Sequence, residues 1–234
     1  MQATLRAQLE ELTKLHTPTA ARFDSARGLH GRWAILPSAF NPPTLAHLNL
    51  LHRAKSTGGI EGAAALLTTR NVAKGVEGAG LEHRIRMLLA TRKSHPGIAV
   101  LAANQARIVD QAMVLKEKWP EATFDFVLGH DTLIRLFDER YYEGPMEELL
   151  DPFFQIHRVF AASRGEVTIG EMEEWLTDQA PQYAKHIVTI ELDKQHRAIA
   201  SSEERSLIRA GQESNSLPAE VVAYIREHSL YSDT

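Results

Sequence analysis

The 234-residue chain predicts an α/β fold, a parallel sheet with helices on both faces. Two observations carry that expectation. From Trp33 onward, short apolar runs alternate with amphipathic stretches, the pattern of strands buried on both faces and joined by crossover helices. The polar segments richest in hydroxyl, imidazole and guanidinium groups fall just after those runs or at helix starts, where such sheets bind ligands.

The elements follow in order. Leu5, Leu9, Leu12 and Leu15 recur at three- and four-residue spacing and predict an N-terminal helix with one apolar stripe. A polar connector over 17–32 leads into a first strand at 33–36. Further strands are expected at 63–67, 98–102, 124–128, 159–162 and 186–192. Helices are expected at 45–55, 81–93, 106–119, 132–137, 170–179, 202–210 and 218–228. The glycine-rich run 74–80 reads as a loop, and 138–155 as irregular, acidic lid material. The chain divides into a helical extension, 1–30, and one domain, 31–234. No internal repeat is visible.

Composition narrows the function classes. Hydrophobic residues make up 44%, enough for a substantial core. Thirty acidic against twenty-six basic residues give a net charge of −4, which speaks against nucleic acid as the main partner and requires any anion to be gripped locally. With no cysteine, thiolate catalysis, disulfides and cysteine-ligated zinc are excluded. The histidines show no metal-ligand spacing, so no protein-held metal is expected. No apolar run suits a membrane span or a leader, so the expectation is a soluble protein of the cytoplasm, the nucleus or both.

Two segments carry candidate chemistry. In the first, an apolar strand ends in the turn Phe40-Asn41-Pro42-Pro43, and a helix starts at Thr44 with His47 three positions later. Thr44 is an expected N-cap. Unpaired amides and the helix dipole there would favour phosphate oxygens, and His47 could donate to a phosphoryl oxygen as charge builds on it. In the second, Ala200-Ser201-Ser202-Glu203-Glu204-Arg205 opens another helix, where Ser202 and nearby amides could hold phosphate and Arg205 could offset its charge. Arg209 is an alternative if the helix is displaced by a turn. The two segments suggest a protein that grips a nucleoside triphosphate.

Ser38-Ala39-Phe40-Asn41-Pro42-Pro43-Thr44-Leu45-Ala46-His47 resembles the (H/T)-x-x-H motif of nucleotidyltransferases. More narrowly, it resembles G-S-F-N-P-x-T/H-x-x-H of the nicotinamide- and nicotinate-mononucleotide adenylyltransferases. Further matches come in order: His83-Arg84-Ile85-Arg86-Met87, Leu128-Gly129-His130-Asp131, Ala162-Ser163-Arg164-Gly165, Ile199-Ala200-Ser201-Ser202-Glu203-Glu204-Arg205, and a closing segment from Leu217 to Tyr231. The resemblance spans roughly 31–231.

It implies a Rossmann-like nucleotidyltransferase fold and transfer of AMP from ATP to nicotinamide mononucleotide, with NAD and pyrophosphate as products and Mg²⁺ accompanying ATP. It implies catalytic roles for Thr44, His47 and Arg205. ATP and phosphate contacts would come from Ser38, Ala39, Phe40, Asn41, Lys74, Gly129, Asp131, Ser201 and Ser202. Asp131 could alternatively cap a helix beginning at Thr132. Acceptor contacts would come from Arg164, with Tyr141 or Tyr142 supplying the aromatic face that a tryptophan gives relatives.

Departures from the family pattern are Ser38 for its glycine, Ala39 for its serine, Ala46 for the glycine of H-x-G-H and Ala200 for a serine. They bear on the acceptor more than on ATP, and suggest a fungal-type branch. Nicotinate mononucleotide, pantetheine phosphate and a regulatory module that hydrolyses ATP remain alternatives. Whether a second copy of the chain is a partner stays open.

Overall fold

The computed structural model describes residues 4–69, 78–163 and 167–232. Among them a seven-stranded sheet runs in the order β1-β4-β3-β2-β5-β6-β7. The strands are β1 (Ala20–Arg22), β2 (Gly31–Ser38), β3 (Gly62–Thr68), β4 (Ile98–Ala103), β5 (Ala122–Gly129), β6 (Val159–Ala162) and β7 (Ile187–Ile190). Every neighbouring pair is parallel except β1 with β4. The helices are α1 (Leu5–Lys14), α2 (Leu45–Lys55), α3 (Leu81–Thr91), α4 (Ile108–Lys118), α5 (His130–Leu136), α6 (Glu147–Ile156), α7 (Ile169–Gln179), α8 (Ser201–Arg209) and α9 (Ala219–Glu227).

Strand alternation divides the core into two layers. Along β5, Phe124, Phe126 and Leu128 face one layer, with Leu101 and Leu115, while Val127 faces the other, with Leu36, Leu51 and Phe160. Each fully buried side chain of this size contributes roughly 1.5–3 kcal/mol. The chain winds outward from β2 through β3 to β4, then returns to place β5 on the other side of β2. That reversal opens a crevice beyond the carboxyl ends of β2 and β5.

Two segments depart from expectation. Instead of irregular lid material, 147–156 forms α6, even with Pro152 inside it. A proline within a helix costs about 3 kcal/mol, and burial of Leu150, Phe153 and Phe154 offsets that. The connector 17–32 is not wholly irregular either: Ala20, Ala21 and Arg22 pair antiparallel with Ala103, Ala102 and Leu101. This short strand covers the outer edge of β4. The preceding α1 buries Leu9 and Leu12 in the same layer as α2 and α3.

Candidate active site

The turn after β2 is built around Phe40. Its φ of 44° is left-handed, a conformation unfavourable for a bulky side chain. Burial of the ring, 1% exposed, holds it there. The ring lies 5.0 Å from that of His47 and so sets the turn against the first turn of α2.

The His47 ring is fixed at both nitrogens. Nδ1 accepts the Thr44 amide at 3.1 Å and lies 2.8 Å from Thr44 Oγ1. A backbone N–H can only donate, so the neutral ring carries its proton on Nε2. Nε2 lies 3.1 Å from Ser38 Oγ at the end of β2, so the imidazole offers a donor at the strand end.

One expectation needs correction. The amides at the start of α2 are not all open to phosphate: Thr44 N–H goes to His47, and Leu45 N–H goes to the Ser216 carbonyl at 2.9 Å. Donors for an anion must therefore come largely from side chains and from the neighbouring helix.

That helix is α8, brought against the turn from far along the chain. Ser201 Oγ donates to the Pro42 carbonyl at 2.9 Å, and Arg205 Nη1 to the Asn41 carbonyl at 2.8 Å. Arg205 Nε is buried without a hydrogen-bond partner among the described residues. Ser201 is thus partly spent on structure, while Ser202 is exposed on the first turn. Arg209 sits in the last turn of α8, away from the helix start, which assigns the junction to Arg205.

A second layer stiffens the turn. Asn41 Oδ1 accepts the Ala79 amide at 3.2 Å and the Tyr231 hydroxyl at 2.8 Å. Arg84 donates to the Ala79 carbonyl at 2.7 Å and to the Ala39 carbonyl at 3.4 Å. Burial, with neighbouring Arg205 adding to it, pushes the Arg84 pKa down. The Tyr231 phenol is pushed up by burial. Sequence reasoning placed Tyr231 only at the end of a closing helix. A contact between residues 190 apart in the chain leaves no local signal.

The β5 edge completes the crevice. Gly129 precedes α5 as its N-cap residue, and a Cβ built there would meet nothing within 4 Å, so the strand end faces open space. Asp131 is exposed in the first turn of α5. It does not cap a helix beginning at Thr132, because α5 already starts at His130. Ser163, the residue after β6, is buried, its hydroxyl without a partner among the described residues. Lys74 and Arg164 lie outside the described residues.

Tyr141 and Tyr142 stand elsewhere on the same edge. With Asn104, Gln105 and Arg107 they line a cavity of about 450 Å³ beyond β4, two strands from β2 and so roughly 10 Å to the side. The Tyr142 hydroxyl donates to the Leu136 carbonyl at 2.6 Å, and burial pushes its pKa up to about 12. Its ring also receives the Arg107 guanidinium at 5.8 Å. Tyr141 is the more available aromatic of the two.

A parallel sheet with a crevice at its chain reversal, a strand-turn-helix bearing Ser38 and His47, and a distant serine/arginine helix start define a nucleotidyltransferase-type α/β protein. The chain belongs to the cytidylyltransferase-like family, whose profile matches residues 35–206. A Schizosaccharomyces pombe protein provisionally named nicotinamide mononucleotide adenylyltransferase is 31% identical over 156 residues. That match covers 65% of this chain and 59% of the yeast protein, so the chain spans less than two thirds of that relative. A Listeria innocua protein provisionally named nicotinate-nucleotide adenylyltransferase is 24% identical, with 84% and 95% covered. Among solved structures, the Plasmodium falciparum nicotinic acid mononucleotide adenylyltransferase complexed with NaAD superposes with a TM-score of 0.66. It is 20% identical, and the match covers 86% of this chain and 98% of that one.

Proposed function

We propose that this chain is an adenylyltransferase that joins AMP from ATP to nicotinamide mononucleotide, forming NAD and releasing pyrophosphate. The observation that carries the reading is the junction of two distant segments: the Ser38–His47 turn and the Ser201–Arg205 helix start, tied by Arg205 to Asn41 and by Ser201 to Pro42. The names of the yeast and Listeria relatives support the same chemistry.

In this reading the 5′-phosphate oxygen of the acceptor attacks the α-phosphorus of ATP, and the bond to the bridging oxygen of the β-phosphate breaks. No side chain acts as nucleophile, so the protein contributes alignment and charge balance. His47 Nε2–H donates to a phosphoryl oxygen as negative charge grows there, and Arg205 offsets the charge of departing pyrophosphate. The hydroxyl, imidazole and guanidinium donors around the turn suit phosphate oxygens. Mg²⁺ enters with ATP as substrate, carried on phosphate and water oxygens.

The test is direct. Purified protein with ATP, Mg²⁺ and nicotinamide mononucleotide should release pyrophosphate and dinucleotide in equal amounts. A parallel reaction with nicotinate mononucleotide sets the acceptor, since the relatives' names divide between the two. Release of phosphate without dinucleotide would overturn the reading in favour of an ATP-hydrolysing module.

A further inference from the structure

At the opposite, amino-terminal edge of the sheet, the geometry points to a second anion site, one that takes a phosphate-bearing small molecule. Asp125 in β5 is fully buried and receives two arginines. Arg32 Nη1 donates to Oδ1 at 2.6 Å, and Arg158 donates to Oδ2 from Nε at 3.0 Å and Nη2 at 2.7 Å. The Arg158 amide adds a bond to Oδ1 at 2.8 Å. One carboxylate thus balances two guanidinium groups and leaves one positive charge in excess.

That excess charge meets no second carboxylate among the described residues, although the Arg158 guanidinium also lies 5.5 Å from the centre of the Phe160 ring. Arg32 Nε and Nη2 and Arg158 Nη1 make no hydrogen bond among the described residues, and both side chains remain 32% exposed. They line a cavity of about 340 Å³ together with His157, His186, Gly58 and Gly59, within the size range of small-ligand sites. The rim at Gly58 and Gly59 has no side chains, and a Cβ at either would meet nothing within 4 Å. Neither glycine amide is spent on a backbone hydrogen bond. Guanidinium forks and open backbone amides are the donors that phosphate oxygens take.

The surrounding charges agree. Asp125 is fully committed to its arginines, and Glu61, next to Gly31, does not line the cavity. Lys116 adds positive charge at the start of β5, where its ammonium caps the Pro120 and Ala122 carbonyls. His157 donates Nδ1–H to the Phe124 carbonyl at 2.6 Å. Burial lowers its pKa, so it is a neutral wall. Arg32 lies six residues from Ser38 along β2, which puts this site about 20 Å from the candidate active site. It does not depend on adenylyl transfer.

The test titrates inorganic pyrophosphate into the ¹⁵N-labelled full chain and follows each resonance. The amides of Gly58 and Gly59 and the Nε–H groups of Arg32 and Arg158 should move and saturate. Removing an arginine would leave Asp125 buried and under-paired, so the variant adds repulsion at the rim: His186→Glu with Gly58→Asp. It should weaken binding at this edge at least about tenfold by like-charge opposition, while shifts around Ser38 and Ser201 persist. Shifts confined to the Ser38 edge would overturn the proposal, as would an unchanged response of the Gly59 amide and of the Arg32 and Arg158 Nε–H groups in the double variant. Either result would leave Arg32 and Arg158 with only the structural role of neutralising Asp125.

Discussion

Two stretches along the carboxyl edge of the sheet are held in opposite ways. The turn 38–47 is locally conspicuous in sequence, yet long-range bonds fix it: Asn41 is gripped from Ala79, Arg205 and Tyr231, and the Ala39 carbonyl from Arg84. The wall over 136–142 is inconspicuous, yet its hydrogen bonds come largely from near neighbours. Tyr142 bonds to Leu136 and Asp138 caps the Arg140 amide; Arg107 reaches in from afar to the Tyr141 carbonyl, and Phe137 packs against the rings of Phe154, Trp175 and Tyr183. A segment that must keep donors aligned on a reacting phosphate needs bracing from several directions. A segment braced mainly from within can adapt to what it meets. The turn should therefore be sensitive to distant substitutions, and the wall tolerant of local ones.

The strongest test of this contrast is His47→Ala. It removes the Nε2–H donor at the end of β2 and should lower kcat by about 10²–10⁴-fold in the pyrophosphate-release assay. It also strips the acceptor from the Thr44 amide, and urea denaturation should show a loss of about 1 kcal/mol. Turnover within a few-fold of the parent would remove the imidazole from the chemistry. Next in size is Arg205→Ala, expected to raise KM for ATP by about 10–100-fold through loss of a charge-assisted contact. Arg209→Ala should leave it unchanged. The reverse outcome would mean that the last turn of α8, rather than its first, meets the triphosphate.

Much of the framework was legible because it is written in periodicity. The stretch 45–55 was expected as a helix, and α2 has those bounds; 159–162 was expected as a strand and is β6. Pro152 hid α6, since a proline normally marks a helix boundary and only tertiary burial of Phe153 and Phe154 overrides it. β1 is three residues long, too short for an alternating pattern to register. The meeting of Asn41 with Arg205 was anticipated by ordered motifs rather than by any local pattern. The Tyr231 contact was not, because a hydroxyl reaching an amide 190 residues away leaves no trace in spacing. Similarly, nothing in the sequence shows that Ser216 occupies the Leu45 amide, which narrows the donors left for phosphate.

The finest test compares two tyrosines that each donate one hydroxyl hydrogen bond from a largely buried position. Tyr231 donates to Asn41 Oδ1 at 2.8 Å in the turn, and Tyr142 to the Leu136 carbonyl at 2.6 Å in the wall. Replacing either by phenylalanine deletes one oxygen and keeps the ring. Each should cost about 1 kcal/mol in urea denaturation. The kinetic consequences should separate. Tyr231→Phe removes one of the two hydrogen bonds to Asn41 Oδ1 described above, on the residue whose backbone carbonyl orients Arg205, and should raise KM for ATP a few-fold with kcat less affected. Tyr142→Phe leaves the turn's bonds in place and should leave KM for ATP unchanged. Equal stability losses with unequal ATP dependence would show that bracing of the turn, not general loosening, sets triphosphate binding. If both variants shift KM for ATP alike, the two stretches form one mechanical unit, and the distinction between a distantly braced turn and a self-braced wall fails.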